Sequence, residues 1–223
     1  MTEFIYLHGF ASGPSSKKAS AFKNKFQEVG VSLNIPDLEG GNFENMTLTS
    51  QIKIVLVLLD QIQSEKVCVI GSSMGGYLAT LVAQQRVKIR ATYLMAPGFN
   101  FLERWMRSLQ LDYDGDNSLK PKVPIFHYRY DKTKYICTDI FKDAKKWASI
   151  GLKRDVPTRI VHGTHDEVVP INESIKFVSR RPWCSLKELD SDHGLLSHLD
   201  WIVDDCIAFF KELGLLQPNK LDP

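Results

Sequence analysis

The run Gly71-Ser72-Ser73-Met74-Gly75 fits G-x-S-x-G. It stands between an apolar, β-branched run, Val67-Cys68-Val69-Ile70, and a buried helical pattern from Gly75 to Gln85. A serine on a strained strand-to-helix turn has its hydroxyl lifted above the sheet edge, where a base can reach it. That backbone is crowded two residues before and two after the serine, so glycine is needed at both places. The spacing selects Ser73, because Ser72 would set Ile70 where the first glycine must be. The helix that follows points free N–H groups at a developing negative charge. The plainer alternative, a Gly-Ser turn that only starts a helix, is disfavoured by the strand before it and the helix after it. Phosphate binding has neither G-x-x-x-x-G-K-[ST] nor G-x-G-x-x-G to support it.

A serine nucleophile needs a base, and the base needs an orienting acid. In a strand-turn-helix setting of this kind the chain order is Ser, acid, His. The acid candidate is Asp166, in His162-Gly163-Thr164-His165-Asp166-Glu167-Val168-Val169-Pro170, after a strand ending at Val161. A loop that follows a parallel strand opens on the same sheet edge as the nucleophile. Glu167 is the neighbouring alternative, and the Val168-Val169-Pro170 run favours Asp166 as the inward residue. A metal reading of His162 and His165 is weak, since two histidines in a loop lack the usual ligand geometry. The base candidate is His193, in Asp190-Ser191-Asp192-His193-Gly194 after the last strand. His198, inside the following helix, reads as a helix-surface residue. His127 could line a pocket, with nothing specific to argue for it.

His8-Gly9-Phe10 ends the first strand. A loop there can give the second backbone N–H of an oxyanion hole, the first coming from the residue after the nucleophile. That assigns the oxyanion to the N–H groups of Phe10 and Met74. The alternative is a simple strand-end turn with His8 satisfied locally.

These residues need a frame. The 223 residues, 43% hydrophobic and 24% charged with a formal net charge of +2, describe an ordinary globular chain. That near-neutral balance argues against a nucleic-acid binder, which needs clustered positive charge. The longest aliphatic run, Ile54 to Leu59, is too short for a membrane span. The N-terminus lacks the basic start and apolar core of a signal peptide. Cys68, Cys137, Cys184 and Cys206 are isolated, as in a reduced, cytoplasmic protein, which sets aside disulfide scaffolds and thiolate metal sites.

Along the chain, short apolar runs alternate with helical patterns. Strands are expected at Phe4 to Leu7, Leu33 to Ile35, Val67 to Ile70, Ala91 to Met95, Thr158 to Val161 and Ser185 to Leu189. Helices are expected at Lys18 to Val29, Thr49 to Gln63, Gly75 to Gln85, Ile171 to Val178 and Ser197 to Leu213. The alternation argues a doubly wound α/β domain over 1–223, with a mostly parallel sheet and helices on both faces. Gln217 to Pro223 reads as a frayed tail. One stretch breaks the rhythm. From about Phe99 to Asp155 there is an apolar stripe (Phe99, Leu102, Met106, Leu109), then a hairpin around Asp131 to Lys134, then a helix from Thr138 to about Ser149. A self-structured insertion of this size reads as a lid, in preference to a segment that only packs on the core. Its Phe99, Phe101, Leu102 and Trp105, with Phe10, are candidate substrate-binding residues and favour an acyl or aromatic ester.

The chain resembles the α/β-hydrolase superfamily over nearly its whole length. The opening Tyr6-Leu7-His8-Gly9-Phe10-x-Ser12-x-Pro14-x-Ser16-x-Lys18-Ala19-Ser20 is similar to the small bacterial YqiA-like esterases. The likeness extends to Gly71-Ser72-Ser73-Met74-Gly75-Gly76-Tyr77 and to Gly163-x-x-Asp166-Glu167-Val168. The His162-Gly163 and Ser191-Asp192-His193 surroundings also resemble an acyl-protein thioesterase and acyl-glucuronide esterase branch. The resemblance implies a serine esterase on Ser73, Asp166 and His193. The insertion is longer than in the minimal bacterial esterases. The expected partner is a small-molecule acyl ester or thioester, with no nucleic acid, metal or cofactor. A peptidase or acyl-protein thioesterase on the same triad, and a hydrolase-fold binding protein without turnover, are the competing readings.

Overall fold

A computed structural model of the chain describes residues 1–110, 122–148 and 150–217. The element order opens with β1 (Glu3–Leu7), α1 (Lys17–Glu28), β2 (Leu33–Asn34), α2 (Leu48–Gln61), β3 (Val67–Ser72), α3 (Met74–Gln85) and β4 (Ile89–Met95). The insertion follows as α4 (Phe101–Ser108), the strands β5 (Lys122–His127) and β6 (Lys132–Cys137), and α5 (Asp139–Ala148). The chain then rejoins the sheet with β7 (Thr158–Gly163), α6 (Asn172–Val178), β8 (Cys184–Leu189), a short 3-10 turn (Leu196–His198) and α7 (Leu199–Glu212). Six strands form one sheet in the order β2-β1-β3-β4-β7-β8. Every pairing in it is parallel. The chain has the parallel, doubly wound α/β architecture expected from its sequence.

Period-two alternation sorts the strand residues onto two faces. Phe4, Tyr6, Cys68 and Ile70 face a core shared with Phe22 and Phe26 of α1 and with Ile202 and Phe210 of α7. Ile5, Leu7, Val67 and Val69 face the other core, with Ile52 of α2 and Leu78 of α3. Because both faces are covered, the central strands read as unbroken apolar runs. Each fully buried phenylalanine contributes about 2 to 3 kcal/mol by leaving water.

Several boundaries differ from the periodicity. α2 begins one residue early because Thr47 and Ser50 form a reciprocal capping box. β7 runs on to Gly163, so His162 is a buried strand residue and not part of a loop. His198 closes the 3-10 turn ahead of α7, where its Nδ1 meets Ser197 Oγ at 2.9 Å.

In the insertion, Phe99 precedes α4 and Leu109 ends it, so only the middle of the apolar stripe is helical. The β5–β6 hairpin turns through 128–131, slightly earlier than expected. Residues 111–121 and 149 of the expected lid, and 218–223 of the expected tail, lie outside the described residues.

The insertion is fastened to the body. Asp143 of α5 accepts from the Thr49 N–H and hydroxyl, both at 2.7 Å, and Trp147 Nε1 donates to Thr49 Oγ1 at 2.8 Å. At the hairpin tip the Tyr128 N–H donates to Ala11 O at 3.0 Å, and Arg129 pairs with Asp37 at 2.6 Å. His127 Nε2 meets Glu39 Oε1 at 2.5 Å, with both side chains buried. Among the described residues, no helix is long and apolar enough to cross a membrane.

Candidate active site

β3 delivers Ser73 to the sheet's C-terminal edge and α3 starts immediately after it. Ser73 has φ 53° and ψ −120°, the strained turn that lifts its hydroxyl out of the sheet. Two glycines permit it. A Cβ on Gly71 would lie 2.4 Å from Gly75 O, and one on Gly75 would lie 2.1 Å from Leu7 O. The end of β1 is thereby pressed against the turn.

The loops after β7 and β8 bring the other two residues to the same edge. His193 Nε2 is 3.0 Å from Ser73 Oγ, and His193 Nδ1 is 2.7 Å from Asp166 Oδ2. The two loops touch at Gly163, where an added Cβ would lie 2.3 Å from Ser191 O. The His165 N–H also donates to Ser191 O at 3.0 Å. Asp166 is buried, while Ser73 and His193 are half-buried.

Asp166 is held by more than His193. Its Oδ1 accepts from the N–H groups of Val168 (2.9 Å) and Val169 (2.7 Å). Its Oδ2 also lies 3.0 Å from His162 Nε2. Burial alone would raise the Asp166 pKa. The hydrogen bonds from His162 and His193 outweigh it and hold the carboxyl well below the usual range. Glu167, the alternative acid, is exposed.

His162 is the residue that sequence reasoning missed. Its Nδ1 meets Ser174 Oγ at 2.7 Å, and its Nε2 is also 2.9 Å from Val169 O. With Ser174 donating to Nδ1, the Nε2–H is left to point at Asp166. Only its spacing of four residues from Asp166 hinted at this. His165 points away and pairs at the surface with Asp190 at 2.8 Å, so the two histidines do not converge. Lys18, in the first turn of α1, also lies close to this loop cluster. Burial pushes its pKa down to about 8, against the pull of Asp166 and Asp192.

On the β1 side, Gly9 packs under Ser73, with an added Cβ 3.4 Å from Ser73 Cβ. His8 is buried and fixes the loop. Its Nε2 accepts from the Leu38 N–H at 3.2 Å, leaving Nδ1–H for Gly9 O at 3.0 Å. Burial lowers its pKa, in keeping with this neutral tautomer. The N–H groups of Phe10 and Met74 have no hydrogen-bond partner among the described residues. The Phe10 ring packs against Phe43 (5.6 Å), Trp105 (5.5 Å) and Phe101 (6.4 Å).

Of the candidate substrate-binding residues, Phe101 and Leu102 line a cavity of about 360 Å³ between α4 and α5. Phe99 lines a neighbouring cavity of about 340 Å³ and stacks on Phe177 at 4.4 Å. Trp105 lies edge-on to Phe141 at 4.8 Å. The described residues contain no group of three or more His, Cys, Asp or Glu side chains able to hold a metal ion.

The family model described as "Uncharacterised protein family (UPF0227)" matches residues 3–211. The chain belongs to this family. Two similar relatives bear activity names. A Mycoplasma pneumoniae protein named "Putative esterase/lipase 2" is 28% identical over 204 residues, covering 79% of this chain and 76% of the relative. The Rattus norvegicus "Palmitoyl-protein thioesterase ABHD10, mitochondrial" is 26% identical over 186 residues, covering 79% of this chain and 62% of the relative. Among solved structures, Est1E from Butyrivibrio proteoclasticus with ferulic acid bound aligns with a TM-score of 0.78 at 22% identity. That alignment covers 95% of this UPF0227 chain and 89% of the other. The mouse α/β hydrolase domain-containing protein 10 gives a TM-score of 0.77 at 21% identity, over 95% and 90% of the two chains. These likenesses place the UPF0227 chain in the α/β-hydrolase fold.

Proposed function

We propose that the protein is a serine hydrolase that cleaves carboxylic esters, thioesters included, through an acyl-enzyme on Ser73. The observation that carries this reading is the hydrogen-bonded line from Ser73 Oγ through His193 to Asp166, at 3.0 Å and 2.7 Å. With Nδ1–H donating to Asp166, His193 Nε2 is free to accept the serine proton. Ser73 Oγ adds to the substrate carbonyl as that proton moves to His193, and the anionic Asp166 stabilises the imidazolium. The carbonyl oxygen becomes an oxyanion between the N–H groups of Phe10 and Met74. Collapse expels the alkoxide or thiolate, which takes the proton from His193. Water, deprotonated by the same nitrogen, then attacks the acyl-enzyme and releases the acid and free Ser73.

In this reading the insertion of about 99–155 roofs the acyl side, with Phe99, Phe101, Leu102 and Trp105 as its contribution. The names of the esterase/lipase and thioesterase relatives support this substrate class. A reducing, cytoplasmic setting fits the four cysteines, all free and buried. The test is a fluorophosphonate probe together with a p-nitrophenyl ester. The wild type is expected to be labelled and to turn over, and Ser73→Ala to do neither. Labelling that persists in Ser73→Ala, or that maps to Ser72 in the wild type, overturns the reading.

A further inference from the structure

The cavity between α4 and α5 exists because of two alanines. α5 presents Phe141, Ala144 and Ala148 to it at helical spacing, and α4 presents Leu102 and Met106. Ala144 and Ala148 leave space where larger side chains would close the gap. Asp143 and Trp147 hold α5 in place by tying it to Thr49 at the start of α2. The space measures about 360 Å³, within the size range of small-molecule sites.

Tyr77 connects this space to the reacting centre. It lies one turn of α3 beyond the nucleophile, its N–H donating to Ser73 O at 3.2 Å. Its ring forms part of the wall of both cavities. Its hydroxyl has no hydrogen-bond partner among the described residues, and burial raises its pKa to about 12, so it stays a donor. Tyr77 is half-buried, and its hydroxyl is available to a bound acceptor.

We infer that the α4–α5 cavity is the acyl subsite and that Ala144, Ala148 and Tyr77 set its substrate class. That class is an ester or thioester whose acyl group is bulky and mainly apolar and carries one hydrogen-bonding substituent near its carbonyl. This rests on the proposed acyl-enzyme chemistry at Ser73. The alanines give the volume, and the Tyr77 hydroxyl meets the substituent. Neither alanine was singled out by its own sequence context.

The test measures kcat/KM on p-nitrophenyl acetate, hexanoate and 3-hydroxyhexanoate, with fluorophosphonate labelling in parallel. Ala144→Phe is expected to lower the hexanoate-to-acetate ratio by about ten-fold, the scale of a blocked apolar subsite. Ala148→Leu, at the exposed rim, should shift the ratio in the same direction and keeps the test valid if Ala144→Phe does not fold. Tyr77→Phe should lower the 3-hydroxyhexanoate-to-hexanoate ratio by about five-fold, the loss of one hydrogen bond. Unchanged chain-length ratios in the folded alanine variants overturn the subsite. An unchanged hydroxyl ratio in Tyr77→Phe overturns the role of that side chain. Absence of wild-type labelling and turnover instead overturns the Ser73 reading beneath both.

Discussion

His193 Nδ1 stands 2.7 Å from Asp166 Oδ2 although 27 residues separate them in the chain. The contact depends on Gly163, the last residue of β7, because a side chain there would collide with the backbone of the His193 loop. The loops that carry Asp166 and His193 are therefore set against each other by backbone packing, before either side chain adopts a rotamer. Asp166→Asn and His193→Ala should each lower kcat by about 10³- to 10⁵-fold with small changes in KM, because both groups act on the transition state. Steady-state kinetics on an activated ester, with Glu167→Gln, His165→Ala and His198→Ala as comparisons, checks it. Full activity in Asp166→Asn would move the acid role elsewhere.

In the proposed reaction His162 acts through Asp166. Removing its ring in His162→Ala takes away one hydrogen bond to Oδ2 and loosens the carboxylate facing His193. The expected result is a fall in kcat of about 10- to 100-fold, typical of a small misplacement of a reacting group. KM should change little, and His162→Gln, which keeps an N–H, should recover part of the loss. Equal losses in both variants, tracking only thermal stability, would make the role structural.

Asp166 also ties stability to acid. Its pKa in the folded protein is below the ordinary 3.8, so its stabilising contribution is complete above that value. The contribution is lost as pH falls through the folded-state pKa. The gap in unfolding free energy between the wild type and Asp166→Asn should be constant near neutrality and shrink below about pH 4. Urea titrations across that range measure it. A gap independent of pH would contradict the hydrogen-bond origin of the shift.

Lys18 is shifted in the same direction for the opposite reason, since there burial disfavours the charged form. Its folded-state pKa of about 8 lies below the ordinary 10.5, so between these values the unfolded chain holds the proton and the folded one does not. Stability should accordingly rise with pH through that window. Lys18→Met is expected to flatten the rise, which thermal melts at several alkaline pH values would reveal.

His127 and Glu39 test how firmly the insertion is held. Both side chains are buried, and they meet at 2.5 Å next to the Arg129–Asp37 pair. His127→Ala leaves the Glu39 carboxyl buried without this partner and should cost about 3 kcal/mol in urea unfolding. A change within about 0.5 kcal/mol, the range of ordinary surface substitutions, would show that the hairpin is loosely attached.

The sequence alone carried the local part of this protein. The glycines at 71 and 75 announce a turn that no residue with a side chain tolerates, so Ser73 was legible from spacing. Unbroken apolar runs such as Val67 to Ile70 announce parallel strands covered on both faces, and the order of strands and helices followed. Asp166 and His193 were legible because the fold puts the loops after β7 and β8 on the edge that carries Ser73. What periodicity could not express is which side chains meet across long separations. The extension of β7 to Gly163 is decided by pairing with β8, and it turned His162 from a loop residue into the buried support of Asp166. The partners of His127 and Thr49 lie 88 and 94 residues away, so no local pattern names them. The cavity beside Tyr77 is also a tertiary property. Alanines at 144 and 148 read as ordinary helix residues until α4 is packed opposite them and α5 is pinned at a distance.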